Sequence, residues 1–341
     1  MFFKQNNPWL PKSLRTKHLK IRRVGVEIEF AELSPEHVLS LIESRFGGEV
    51  ESETMFEHTV KNSALGDFKL ELDADSLKKH AEFIDEWQSK HEGEKGLRAS
   101  AVNFYSELMS HSAERLVPWE IVTAPIPMTK LEKLNELFKD LKEAGAAGTK
   151  DSIQYAFGVH LNPELPNLDV DEVLKYLRAF MVMSEWLRKQ EDVDMSRKIT
   201  PYIDPFGRDY MQKVLDFDYL PGMDELIDDY LEFNPTRNRS LDMLPLFAHI
   251  DEERVRSAVD DPRIKARPTL HYRLPNCELG NPDWDLQTTW GNWMRVEALA
   301  QSPELESFAS EYLATLDTVA HHFISDWPEK LESKLEQLDV A

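Results

Sequence analysis

Residues Val24 to Phe30 read VGVEIEF, and this stretch decides how the rest of the chain is read. Val24, Val26, Ile28 and Phe30 fall on one face of a β-strand; Gly25, Glu27 and Glu29 fall on the other. Two acids on one strand face stand ~7 Å apart at Cα. On a solvated face such a pair means nothing, and that is the commoner situation for an isolated E-x-E. On a face lining a cavity, two close anions must be neutralised or must share a proton. A divalent cation is the natural solution.

Working outward, a helix follows directly. In SPEHVLSLIESRFGG, Ser34 is the expected N-cap, Pro35 the first helical residue, Val38, Leu39, Leu41, Ile42 and Phe46 the apolar stripe, and Gly47 the stop. DFKLELDADS alternates again, with Phe68, Leu70 and Leu72 against Lys69, Glu71 and Asp73. Helices are expected at 76–92 and 97–112, a strand in RLVPWEIVTAPIP, and a helix in TKLEKLNELFKDLKEAG with Thr129 and Glu132 as a capping box. YAFGVHLNP is a short strand closed by Pro163, and residues 170–190 form a long, mostly apolar helix. Residues 192–250 read as irregular and acidic, RPTLHYRLPNC as a strand, and the tail after Ser302 as a capped helix with a break at Pro328. The expected fold is α+β: a largely antiparallel sheet with helices packed on its outer face. The expected organisation is a basic arm over 1–21, then one domain over 22–341 with an insertion at 192–250 covering the site.

Bulk composition narrows the function classes. The chain has 341 residues, 41% hydrophobic and 10% aromatic, enough for a substantial core. Its formal net charge of −22 repels a phosphate backbone, so nucleic acid is a poor partner. The single cysteine, Cys277, excludes an intrachain disulfide framework and fits a reducing, cytoplasmic compartment. No apolar run approaches the ~18 residues that span a bilayer, so no membrane partner is expected. The N-terminus carries no acid before Glu27 and lacks the apolar stretch of a secretory signal.

Other strands present groups that match the acids of the first. WEIVTAP sets Glu120 opposite Trp119 and Ile121, FGVHLNP sets His160 on one face with Gly158 and Asn162, and TLHYRLP sets His271 beside Arg273. A lone strand glutamate is usually surface and a lone strand histidine usually core; recurrence on several strands argues for a shared trough. Carboxylates with one or two imidazoles favour Mg²⁺ or Mn²⁺ over zinc. Cations beside such a site suggest a phosphate ligand: Lys69, Arg273, and the pair Arg237 and Arg239 in NPTRNRSLDMLPLF, bracketed by Asn234, Asn238 and Asp242. P-loop, dinucleotide-fold and serine-hydrolase signatures are missing from the sequence.

GVEIEF, LDADSL, WEIVTAP, FGVHLN and a late strand ending in arginine occur in the order seen in the amidoligase family, which this chain resembles from about residue 22 to 275. These are carboxylate–amine ligases related to glutamine synthetase and glutamate–cysteine ligase. The resemblance implies a half-funnel antiparallel sheet holding ATP and two or more divalent metals, Mg²⁺ or Mn²⁺. It implies Glu27, Glu29, Glu120, His160 and His271 as metal ligands and Arg273 at the transferred phosphate, where the residue reading adds Arg237 and Arg239. Lys69, Asp75, Arg273 and Asn238 become the nucleotide contacts. The family pattern has Glu-x-Arg where this chain has His271-Tyr272-Arg273, so a ring nitrogen replaces a carboxylate there. It has a shorter Asp-Gly-Ser where this chain has DADSL, so Asp73 or Asp75 takes that role.

The implied reaction joins a small-molecule or peptide carboxylate to an amine through an acyl phosphate, with ATP as phosphoryl donor. The general base is unassigned, Glu71 and Asp75 being the acids at hand. A homo-oligomer is open, since glutamine synthetase relatives often form rings or dimers. Two other readings use the same residues: a metal-dependent hydrolase or phosphatase that activates water, and a nucleotide- or metal-binding module without turnover.

Overall fold

Alternation in the first strand becomes a partition of two environments. In β1 (Arg23–Phe30) Val24, Val26, Ile28 and Phe30 are completely buried, while Gly25, Glu27 and Glu29 are half-buried on the opposite side. A computed structural model describes residues 7–72, 118–149, 157–191, 193, 203–316 and 326–340 of the chain. The helices expected at 76–92 and 97–112, and the Asp73 and Asp75 alternatives, lie outside the described residues.

Among the described residues, nine strands form one open sheet in which every strand pairing is antiparallel. The strands are β1, β2 (Glu49–Thr54), β3 (Glu57–Lys61), β4 (Phe68–Leu72), β5 (Trp119–Thr123), β6 (Ile126–Pro127), β7 (Val159–Pro163), β8 (Leu241–Asp242) and β9 (His271–Tyr272). Their spatial order is β2-β3-β4-β5-β1-β7-β9-β8, with β6 on the start of β1. So β1 sits between β5 and β7, and segments far apart in sequence meet on its two edges.

Ten helices accompany the sheet: α1 (Pro35–Phe46), α2 (Leu131–Glu143), α3 (Val170–Gln190), α4 (Arg208–Leu215), α5 (Met223–Phe233), α6 (Leu244–Ile250), α7 (Glu252–Ala258), α8 (Leu286–Ala300), α9 (Leu305–Leu316) and α10 (Trp327–Val340), counted among the described residues. The α+β class holds. α1 begins as its sequence requires, with the Ser34 hydroxyl accepting the His37 N–H and Pro35 in the first turn. Gly47 ends it at φ +68°, where a side chain would strain the backbone. The Thr129–Glu132 capping box does not form. Met128–Lys130 wind as a 3-10 turn ahead of α2, so Thr129 lies inside a helical turn rather than before one.

Two expectations about regularity fail. The β2–β3 hairpin is absent from the sequence reading because β2 (EVESET) is exposed at all six positions and so shows no apolar alternation. The stretch read as irregular contains α4, α5 and α6; Tyr210, Val214, Leu226, Ile227 and Tyr230 supply the buried stripes.

One continuous hydrophobic core joins the apolar face of the sheet to the helices. Arg22, just before β1, is fully buried and bidentate to Glu297 of α8, at 2.8 and 2.6 Å. Tyr176 of α3 and Trp293 also donate to Glu297, at 3.2 and 3.0 Å. Burial opposes the guanidinium charge, but Glu297 more than compensates and keeps it firmly protonated. The segment before β1 is tied to this body: Trp9 is buried, its carbonyl accepts from Trp290 Nε1 at 3.0 Å, and Lys17 pairs with Asp169 at 3.0 Å. Among the described residues, no helix is long and apolar enough to cross a membrane.

Candidate metal centre

Register puts the polar face of the sheet in rows. Glu57 of β3 pairs with Glu71 of β4, Glu71 with Glu120 of β5, and Glu120 with Glu29 of β1, so four glutamates cross four strands side by side. The next row runs Thr59, Lys69, Val122, Glu27 and His160. Four like charges in a line would repel. Lys69 relieves one end of the row, 2.7 Å from Glu57 Oε1 and 2.7 Å from Glu71 Oε2.

At the other end the acids meet imidazoles. Glu27 Oε2 is 2.9 Å from His160 Nδ1 and 3.6 Å from His271 Nε2. Glu27 Oε1 accepts from Asn162 Nδ2 at 2.9 Å, and Asn162 Oδ1 accepts from Arg267 Nη2 at 2.6 Å. Glu29 Oε2 accepts the Gly158 N–H at 2.7 Å, and Glu29 Oε1 is 3.7 Å from His160 Nε2. The glycine is required by close approach: a Cβ there would stand 2.9 Å from His160 Nε2. The rings of His160 and His271 meet edge-on, centroids 5.3 Å apart.

These contacts define two overlapping donor sets, Glu27–His160–His271 and Glu29–Glu120–His160, each with its ligand atoms within 4.8 Å of one another. A neutral imidazole has one lone pair, so His160 can ligate an ion in one set while its other nitrogen donates to a carboxylate of the other. Burial disfavours the charge on Glu27, yet the flanking imidazoles outweigh it and hold the carboxyl well below the usual carboxylate range. Burial also pushes His271 down, Glu27 opposing that shift and Arg273 adding to it. An ionised carboxylate beside a neutral imidazole is the protonation state a metal requires. His271 Nε2 is buried and has no hydrogen-bond partner among the described residues. An orphaned ring nitrogen aimed at a carboxylate fits a divalent ion, and the mixed oxygen–imidazole set suits Mg²⁺ or Mn²⁺.

All five expected ligands, Glu27, Glu29, Glu120, His160 and His271, therefore converge. Arg273 is half-buried beside His271, and its neighbour Arg237, also half-buried, is pushed down by burial and by Arg273. Lys69 is on the same sheet face, engaged with acids. Arg239 instead donates to the carbonyls of Pro205 and Phe233, at 3.0 and 3.4 Å, which is a loop-bracing arrangement. Asn238 is exposed, with its carbonyl accepting from the Asp204 N–H at 2.8 Å. Asp75 is outside the described residues. Sequence reading places Asn162 on the His160 face but gives it no role, and it misses Arg267, which arrives from a loop with no periodic signal.

Fold and site together define an α+β protein with an antiparallel sheet whose polar face gathers two acid–imidazole sets that could hold a metal ion. The chain belongs to a family described as "Putative amidoligase enzyme", whose model matches residues 20–295. No curated protein and no solved structure matches it.

Proposed function

We propose that this protein is an ATP-dependent carboxylate–amine ligase that forms an amide through an acyl phosphate and depends on Mg²⁺ or Mn²⁺. The observation that supports this best is the pair of overlapping acid–imidazole sets on one sheet face, with Arg273 and Arg237 beside them. A substrate carboxylate attacks the γ-phosphorus of ATP, the bond to the bridging oxygen breaks, and ADP leaves. An amine then adds to the acyl phosphate and expels inorganic phosphate, giving the amide and releasing a proton.

Bound divalent ions would offset charge on the phosphate oxygens. Glu27 and Glu29 are pre-oriented for such ions by Asn162, His160 and the Gly158 N–H. Arg273 and Arg237 supply fixed positive charge toward the transferring phosphoryl group, and Lys69 can exchange a carboxylate for a nucleotide phosphate. Catalysis of this kind is mainly positioning and electrostatics. The partners are a small-molecule or peptide acid and an amine; neither nucleic acid nor membrane is part of the reading.

Hydroxylamine gives a direct test, because it traps acyl phosphates as hydroxamates. A panel of amino acids, peptides and other carboxylates is incubated with ATP, Mn²⁺ and hydroxylamine. Hydroxamate formation that requires ATP and one carboxylate class supports the ligase. ATP loss at the same rate with no carboxylate present contradicts it and favours a hydrolase.

A further inference from the structure

We propose that Asp242 is a positioning residue for His271: it fixes the proton on the Nδ1 side of the ring and leaves Nε2 free to bind a metal. The inference rests on the metal reading above. Asp242 is in β8, cross-strand from His271 in β9, and is fully buried. Its Oδ1 accepts the Leu244 N–H at 2.9 Å, which pins the carboxylate. Its Oδ2 is buried, has no hydrogen-bond partner, and lies 3.7 Å from His271 Nδ1. The opposite ring nitrogen, Nε2, is also unpartnered and lies 3.6 Å from Glu27 Oε2. A buried imidazole is thus held between two carboxylates, each just beyond hydrogen-bond distance.

A neutral imidazole carries one N–H. With the proton on Nε2, it points at Glu27, and the Nδ1 lone pair faces a desolvated carboxylate with nothing between them. That arrangement leaves a buried anion uncompensated. With the proton on Nδ1, the N–H points at Asp242 Oδ2 and offsets its charge across 3.7 Å, and the Nε2 lone pair faces Glu27. A cation between Nε2 and Glu27 then satisfies both. Asp242 therefore selects the tautomer that binds metal. The groups around it do not substitute for this: Arg237 acts on Asp242 only as a neighbouring charge, and the Tyr230 hydroxyl is an acceptor for the Met243 N–H.

The test uses ¹⁵N-histidine NMR of the metal-free full chain together with Mn²⁺ titration followed by EPR, the His271 signal being assigned by its loss in His271→Gln. In wild type, His271 should show a protonated Nδ1 and an unprotonated Nε2. In Asp242→Asn the new amide can donate to Nδ1, so the proton should move to Nε2 and Mn²⁺ affinity should fall about 10- to 100-fold. Asp242→Ala leaves a cavity but imposes no tautomer, so it should bind Mn²⁺ better than Asp242→Asn; a packing role alone predicts the reverse order. A wild-type ring protonated on Nε2 overturns the proposal even where neither variant folds. Unchanged affinity in Asp242→Asn overturns it while leaving the metal site standing. No Mn²⁺ binding by wild type overturns the metal reading and this proposal together.

Discussion

Gly158 offers a way to disturb the candidate centre without altering any ligand. A Cβ added there would stand 2.9 Å from His160 Nε2, 3.3 Å from His160 Cδ2 and 3.4 Å from Glu29 Oε2. Ordinary contact begins at 3.4 Å, so the ring must retreat by about 0.5 Å, against the ~0.2 Å that metal–ligand distances tolerate. It cannot swing freely, because Nδ1 is held 2.9 Å from Glu27 and the ring lies edge-on to His271. His160 belongs to both donor sets, so one methyl group perturbs both. Gly158→Ala should cost the metal-free protein about 1–3 kcal/mol, the usual range for overpacking. Its Mn²⁺ affinity should fall by about tenfold or more, the scale of losses when a ligand's orientation is disturbed. Thermal unfolding without metal and Mn²⁺ titration calorimetry measure the two effects separately. A folded alanine variant that binds Mn²⁺ as tightly as wild type would refute the reasoning, since it would mean His160 is not constrained as described.

Three further outcomes follow from the same structure. Arg22→Met leaves Glu297 buried without its guanidinium and should cost about 3–5 kcal/mol in urea unfolding, whereas Arg22→Met combined with Glu297→Gln should recover part of the loss. Lys69→Met removes the cation between Glu57 and Glu71; stability should drop by less than ~1 kcal/mol because the pair is substantially exposed, while KM for ATP should rise, and an unchanged KM removes Lys69 from the nucleotide site. Arg263 hydrogen bonds hold the Asp261 carboxyl at about 2, below its unfolded value of ~3.9, so its ionised form stabilises the fold above that unfolded value and the gain is lost as pH falls toward 2. The stability gap between wild type and Asp261→Asn, measured by urea unfolding, should accordingly shrink on going from pH 5 to pH 2.

The sequence revealed those parts of the site that obey strand parity. Glu27 and Glu29 share a face because they are two residues apart, and Glu120 and His160 declare themselves by the apolar residues that alternate with them. Which strands become neighbours is a long-range property, so neither the four-glutamate row nor the shared role of His160 could be read from local pattern. Arg267 escaped because loop residues carry no periodicity, although it meets Asn162 across more than a hundred positions. Asp242 was seen only as a bracket to an arginine pair, since a two-residue strand is too short for alternation to mark its faces. The exposed β2 failed for a related reason: an edge strand with no buried face has nothing apolar to alternate. Arg237 and Arg239 look equivalent in sequence, yet one is half-buried beside Arg273 and the other braces a loop through backbone carbonyls.

The central claim is that acids and imidazoles from β1, β5, β7 and β9 jointly hold divalent ions for a nucleoside triphosphate. Crystals soaked in Mn²⁺ with a non-hydrolysable ATP analogue test it most directly through the manganese anomalous signal. The account predicts peaks among Glu27, Glu29, Glu120, His160 and His271, with the analogue's terminal phosphate turned toward Arg273. Clear density for the analogue with no anomalous peak among those five side chains would contradict it.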